Sequence, residues 1–459
     1  MKIPHKALVI LTSLTLFIHC SCKKFLDIDA PKNSATSSQV FDNDETATSA
    51  IIGIYTRMSG FGAFSGNQNS LSVLNGLSSD ELISYSPSLD VFYKNDIPTN
   101  QFAIDFYLWS QAYAFIYTSN SIIEGLEKST NISMNVRSQL KGEAKFVRAF
   151  CYFYLVNIFG DVPLNLSTDY TINEKTGRTP LKVVYEQIVR DLVDSENLLS
   201  DSFVGAERIR PSKWAAKALL SRVYLYSKNW QLAIEKASDV IGKSELFELL
   251  ENLDQVFLKN SKEAIWQLMP AVGNNTQEGS LFILNNVPTR VSLSPDLASA
   301  LSAADKRKIN WIGEYTFNNN KYYYPYKYKI RQTTNGVVNE YSMVLRLAEL
   351  FLIRAECNAK LSKPIESLRD INIIRKRAGF NVPLTNLNSE ECLKEVSNQR
   401  RFELFTEWGH RWLDLKRTDM ATFVLAPLKP TTWVNTDTLY PIPDSEVNRN
   451  RNVTQNLGY

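Results

Sequence analysis

Aromatic rings interleaved with amides and carboxylates are the side chains in this sequence whose spacing best suits chemistry, and the chemistry is the holding of a ligand. A flat ring offers an apolar face for stacking, and a neighbouring amide or carboxylate supplies hydrogen bonds that fix orientation. Asp80-Glu81-Leu-Ile-Ser-Tyr85 and Asp90-Val-Phe92-Tyr93-Lys94-Asn95 carry this mixture, with Phe61-Gly-Ala-Phe64-Ser-Gly-Asn67 just before them and Asn274-Asn275 much later. Asn67, Asp80, Glu81, Tyr85, Asp90, Phe92, Tyr93 and Asn274 are therefore the candidate contacts. Packing within loops is the plainer role open to each of them.

Catalytic residues are harder to find. Of the three histidines, His5 and His19 lie near the N-terminus and only His410 lies in the body. A Ser-His-Asp arrangement or a zinc site with two histidines has almost nothing to work with. His410 stands among aromatics in Glu407-Trp-Gly-His-Arg-Trp412, where a hydrogen-bonded structural role is expected. Phosphate loops of the GxxxxGK[ST] type, a GxGxxG turn and an HExxH helix are all missing from the sequence. Paired carboxylates are the one catalytic class that composition leaves open, because Asp and Glu are scattered throughout. The cysteines, at 20, 22, 151, 357 and 392, are too isolated for a metal knuckle or a disulfide framework. The expectation is a chain with no catalytic set, no metal and no cofactor.

The N-terminus reads as a targeting segment. Lys2 and Lys6 precede an apolar stretch over 7–18 that is shorter than the roughly 20 residues a spanning helix needs. A basic start, a short apolar run and small residues form a secretory signal. Ser21 before Cys22 suits cleavage that leaves Cys22 as an acylated first residue; Cys20 is the alternative. An ordinary signal peptide or an uncleaved anchor helix competes with this reading. Residues 1–21 are thus expected to be a leader and 22–459 one body, held to a membrane by acyl chains.

Composition is that of a globular protein, with 44% hydrophobic and 22% charged residues in 459. Loss of residues 1–21 removes Lys2 and Lys6 and no acid, so the formal charge falls from +3 to +1. A near-neutral body gives no electrostatic footprint for nucleic acid.

The elements that must position the candidate contacts are mainly helices. Leu140, Ala144, Val147, Cys151, Tyr154, Leu155 and Ile158 recur at three- and four-residue steps, so 137–159 is expected to be an amphipathic helix ended by Gly160-Asp-Val-Pro163. Further helices are expected over 179–199, 212–226 and 230–241, and a long helical region over 389–416. Ser221 and Ala233 are small residues twelve apart across the turn at Lys228-Asn229, and Ala355 and Ser367 repeat that spacing across Leu361-Ser-Lys-Pro364. Small residues at such points let two antiparallel helices cross closely, as in tetratricopeptide repeats. A generic helical core is the competing explanation. Two stretches, 55–105 and 266–340, do not repeat and read as loops carrying a surface, with only modest strand signals.

The same residues resemble a family. Cys22-Lys-Lys-Phe-Leu-Asp is similar to the mature start of SusD/RagB lipoproteins, and Gly142-Glu-Ala-Lys-Phe-Val-Arg-Ala-Phe with Tyr154-Leu-Val-Asn-Ile-Phe-Gly-Asp-Val-Pro-Leu164 to their helix-and-turn signature. Leu347-Ala-Glu-Leu-Phe-Leu-Ile-Arg-Ala-Glu-Cys, Ile371-Asn-Ile-Ile-Arg-Lys-Arg-Ala-Gly379 and Glu407-Trp-Gly-His-Arg-Trp-Leu-Asp-Leu-Lys-Arg417 follow its core motifs in order. Tyr440-Pro-Ile-Pro and Gln455-Asn-Leu-Gly-Tyr459 resemble its ending. Gln399 stands where many members carry Glu, and Leu457 where they carry Pro.

The resemblance implies a mostly α fold with four tetratricopeptide-like helical hairpins packed against a loop-rich variable half. Within it, 22–265 would hold hairpins and candidate loops and 266–459 the core motifs. It also implies a lipid-anchored protein on the exterior of the outer membrane, capping a SusC-like TonB-dependent transporter and binding an oligosaccharide or a peptide without cleaving it. A carboxylate-dependent glycosidase and a purely structural repeat scaffold are the other classes kept open. Arg411, Trp412, Asp414 and Arg417 read as ion pairs and packing, and Arg354 and Glu356 as paired core charges. Members carry similar residues at Trp311 and Lys321-Tyr-Tyr-Tyr-Pro-Tyr-Lys-Tyr-Lys329, so these are assigned to folding first.

Overall fold

The computed structural model describes residues 37–270, 275–333 and 336–459. After a single helical turn at Ser37–Val40 comes helix Asp44–Gly60, its first turn capped by the Asn43 side chain, which accepts from the N–H groups of Glu45 and Thr46. A stack of eight helices follows in chain order, Gln111–Lys128, Met134–Phe159, Leu181–Leu198, Lys213–Tyr226, Trp230–Ile241, Leu347–Lys360, Pro364–Arg377 and Ser389–Glu403, each packed on the next. Met134–Phe159 runs through the centre: from Leu140 to Phe159 nearly every side chain is buried, so its amphipathic stripe widens to all faces.

The small residues do what their spacing predicts. Ser221 and Ala233 are both fully buried where Lys213–Tyr226 crosses Trp230–Ile241, and the Ser221 hydroxyl donates to the Ala233 carbonyl at 2.9 Å. Ala355 and Ser367 are buried likewise in the pair Leu347–Lys360 and Pro364–Arg377.

Two expectations need correction. The region 389–416 is not one helix: Ser389–Glu403 and His410–Arg417 are separate, and the chain between them turns with Thr406, Trp408 and Gly409 at positive φ. The turn drives Trp408 into the core, where its indole N–H donates to the Met343 carbonyl at 2.6 Å and its ring lies 5.5 Å from that of Phe150. Gly409 is required there, because a Cβ would stand 2.3 Å from Asn75. The stretches 55–105 and 266–340 are also less loop-like than expected. They hold helices Leu71–Ser78 and Pro87–Lys94 and an antiparallel sheet in the order Leu82–Ser84, Val291–Leu293, Asn320–Pro325, Ile312–Phe317. Asn318 and Asn319, both at positive φ, make the two-residue turn that closes its hairpin. A second pair of strands, Ala264–Leu268 and Ser342–Arg346, is wholly buried against the helices.

Charged motif residues pair inside the fold. Arg346 reaches Glu263 at 2.9 Å, Glu403 at 2.6 Å and Glu407 at 2.7 Å. Arg377 reaches Glu263 at 2.8 Å and also Glu403; Arg307 reaches Asp305 at 2.8 Å, and Lys327 reaches Glu407. These groups are buried, and a buried charge persists only with partners of this kind. Lys327, Tyr328 and Trp311 therefore belong to the core, as assigned. Arg354 pairs with Asp370, and Glu356 with Arg417. His410 is buried as expected but not hydrogen-bonded as expected: Nδ1 has no partner and Nε2 stands 4.0 Å from Glu349, so burial and nearby arginines hold it neutral. Gln399 is buried with its amide donating to Glu395 at 2.8 Å, whereas Leu457 is exposed. Cys151, Cys357 and Cys392 are free and buried.

Candidate functional site

Three remote segments meet around a cleft of about 230 Å³ whose wall includes Asp80, Ile83, Tyr93, Pro295, Asp296 and Lys429. The first segment leaves helix Leu71–Ser78, forms strand Leu82–Ser84 and enters helix Pro87–Lys94, whose Pro87 suits the first turn and whose end is marked by Asn95 at φ 59. The second follows strand Val291–Leu293, and the Ser294 N–H donates to the Glu81 carbonyl at 2.7 Å. The third is the end of helix Ala421–Leu428 with Lys429.

Lys429 locks the floor. Its ammonium donates to the carbonyls of Leu77 and Ser78, both at 2.9 Å, and to Asn95 Oδ1 at 2.5 Å, and it lies 5.6 Å from the Tyr93 ring centre. Burial brings it down to about 7. Asp80, 9% exposed, receives Arg411 at 2.7 and 2.9 Å and Arg401 at 2.8 Å. Burial disfavours its charge, but these guanidiniums hold its carboxyl below the ordinary value. Asp80 is thus an ionised, fully engaged wall residue rather than a free acid.

Tyr93 is half-buried on the same wall, and Tyr85, two residues after the wall residue Ile83, is exposed at 39% and shares a hydrogen bond with Ser292 Oγ at 3.2 Å. The Tyr85 ring meets that of Tyr322 edge-on at 6.1 Å. Tyr85 is exposed and Tyr322 partly buried, on neighbouring parts of the sheet linked through Val291–Leu293.

The other sequence candidates fall elsewhere. Phe92 is 0% exposed and packs 5.8 Å from the Tyr440 ring, because Pro87–Lys94 is a helix that buries Leu89 and Phe92 three residues apart. Glu81 is 1% exposed, with Oε2 accepting from the Thr406 N–H at 3.0 Å, and burial pushes it up to about 8. Neither presents side-chain surface to the cleft. Asp90 pairs with Lys94 at 3.6 Å on the helix surface, and Asn67 closes a turn by accepting from the Asn69 N–H at 2.8 Å; neither lines the cleft. Asn274 and Cys22, with its alternative Cys20, lie outside the described residues. Tyr322, Pro295, Asp296 and Lys429 went unforeseen. Only Tyr322 carried a signal, as part of a tyrosine-rich hairpin assigned to folding.

Among the described residues no group of His, Cys, Asp and Glu is placed to hold a metal ion, and no helix is long and apolar enough to cross a membrane. What the arrangement offers is the Tyr93 ring on the wall beside polar groups held in place by Lys429 and the arginines on Asp80.

Comparison with known proteins agrees with this fold. Residues 24–225 match a family profile described as starch-binding and associating with the outer membrane, and residues 308–459 match that of the SusD family. A SusD-like protein of Formosa agariphila is 25% identical over 94% of both chains. Another, from Bacteroides ovatus, is 26% identical over 89% of this chain and 82% of its own. Among solved structures, a SusD superfamily protein from Bacteroides vulgatus superposes with a TM-score of 0.80 at 20% identity, covering 91% of this chain and 99% of its own. A laminarin-binding SusD-like protein superposes with a TM-score of 0.76 at 22% identity, covering 91% and 100%. The two profiles flank the centre of the sequence, the relatives span it, and the helical stack is shared: this chain belongs to the SusD/RagB family.

Proposed function

We propose that the chain captures an oligosaccharide at the cleft walled by Tyr93 and Lys429, with Tyr85 extending the contact outside it, and hands it, uncut, to a SusC-like TonB-dependent transporter of the outer membrane. The observation that carries the reading is the half-buried Tyr93 on the wall of a cleft whose polar groups are already fixed, with the exposed Tyr85 two residues beyond the wall residue Ile83. Pyranose faces stack on such rings, and a preformed site avoids the entropy of ordering it. The starch-binding description of the matched profile and the laminarin-binding structural neighbour favour a glycan. Asp80 is no general acid, because it is kept ionised, and its oxygens are already engaged by Arg411 and Arg401, which leaves it ill suited to act as a nucleophile or base. Attachment through acyl chains on Cys22 would keep the cleft at the cell exterior, next to the transporter.

Electrophoresis of the full chain through native gels containing laminarin or starch tests the reading. Tyr85→Ala is expected to weaken retardation about tenfold, which corresponds to about 1.4 kcal/mol of stacking, with the helical circular dichroism unchanged. Retardation equal to wild type would remove Tyr85 from the site. Shortened glycan from purified protein would overturn binding without cleavage, and retention on peptides alone would move the ligand to that class.

A further inference from the structure

Three charged residues line the aromatic cleft, Asp80, Asp296 and Lys429, and two of them are spent within the protein. An ammonium has three N–H donors, and Lys429 gives all of them away, to the carbonyls of Leu77 and Ser78 and to Asn95 Oδ1. Asp80 takes Arg411 on both of its oxygens and Arg401 on one. Those two guanidiniums line a separate cavity and not the cleft. No side-chain cation in the lining therefore has a donor left for a ligand.

Asp296 is the exception. It follows strand Val291–Leu293, stands exposed in the first turn of the short helix Pro295–Ala300, and belongs to the cleft wall. Ser299 Oγ donates to its backbone carbonyl at 3.1 Å, but its carboxylate has no partner among the described residues. The neutral hydroxyls of Ser79, Ser294 and Tyr93 complete the polar side chains of the lining. The one unpaired charge that a ligand meets there is negative.

We propose that the cleft takes uncharged glycans and turns away acidic ones, and that Asp296 sets this choice. The inference rests on the glycan reading above and narrows it. Sugar hydroxyls donate hydrogen bonds, and a carboxylate accepts two of them at once with the added strength of a charged acceptor. A uronate or a sulfate instead brings acceptors and negative charge to a wall with a free carboxylate and no free cationic donor. Like-charge contact of this kind is a means by which a binding site rejects a similar but wrong partner. An acid in a first helical turn also suits the helix dipole for reasons unconnected with a ligand, so discrimination between ligands, rather than stability, separates the two roles.

Isothermal titration of the full chain with hydroxyethyl and carboxymethyl derivatives of laminarin and of starch tests the proposal, because the two substituents are similar in bulk and differ in charge. The hydroxyethyl form is expected to bind about tenfold or more tightly than the carboxymethyl form at low ionic strength, a gap that narrows as salt is added. Asp296→Asn is expected to cut the gap to less than about threefold, and Asp296→Lys to reverse it. Equal binding of the two forms by the wild type, tighter binding of the carboxymethyl form, or a ratio that Asp296→Asn leaves unchanged would each overturn the proposal while glycan capture stands. Binding of neither form of either glycan would overturn both.

Discussion

Burial raises the Glu81 carboxyl to about 8 and the Glu278 carboxyl to about 7, so both hold protons in the folded chain at a pH where the unfolded chain releases them. An unfolded glutamate ionises near a pKa of about 4.3. Between about pH 5 and about pH 7 the folded state therefore binds more protons, and stability falls as pH rises, by at most about 1.4 kcal/mol per pH unit for each group. Glu403 and Asp414 act in the opposite sense. Although buried, they are held ionised by their arginines, so their contribution is complete above the unfolded pKa and is lost as pH falls below it. Urea denaturation across the interval should show a declining wild-type stability and a shallower decline in Glu81→Gln; equal slopes would refute the assignment. Residue chemistry in the sequence pointed to the neighbourhood of the cleft but not to its members. Asp80 and Tyr93 line it, whereas Glu81 and Phe92, an acid and an aromatic one position away, face inward because side-chain direction follows from elements not recognised in advance.

Helices were legible where their apolar period was long. The expected span 230–241 coincides with the observed helix, and 137–159 gains three residues at its start. The break at 404–409 was not legible, since a buried Trp408 looks in sequence like one more apolar helical position. The sheet was missed for a related reason: three-residue strands such as Leu82–Ser84 are too short to display alternation, and pair with strands about 200 positions away. The helix crossing at Ser221 and Ala233 offers a direct check of the spacing argument. Ala233→Leu should cost about 1–3 kcal/mol by overpacking, read as a lower urea midpoint with unchanged slope. Loss below about 0.5 kcal/mol would mean that the two helices have room to separate.

At the scale of the molecule, the chain closes on itself. Tyr440 shares a hydrogen bond with Ser78 at 2.7 Å and donates to Asn75 Oδ1 at 3.0 Å, and the Asn456 amide donates to the carbonyls of Phe159 and Tyr440. Tyr440→Phe should therefore lower stability by about 1–3 kcal/mol, the cost of leaving buried polar partners unpaired, and a Tm equal to wild type would show that those partners re-pair. The same closure has a consequence for the aromatic cleft. Its walls come from near residues 80–93, 294–296 and 428–429, so no proteolytic fragment lacking one of them can retain a complete pocket. A sugar seated there would behave as a clasp across distant parts of the polypeptide, and saturation would be felt as resistance to melting in the whole body rather than in one loop.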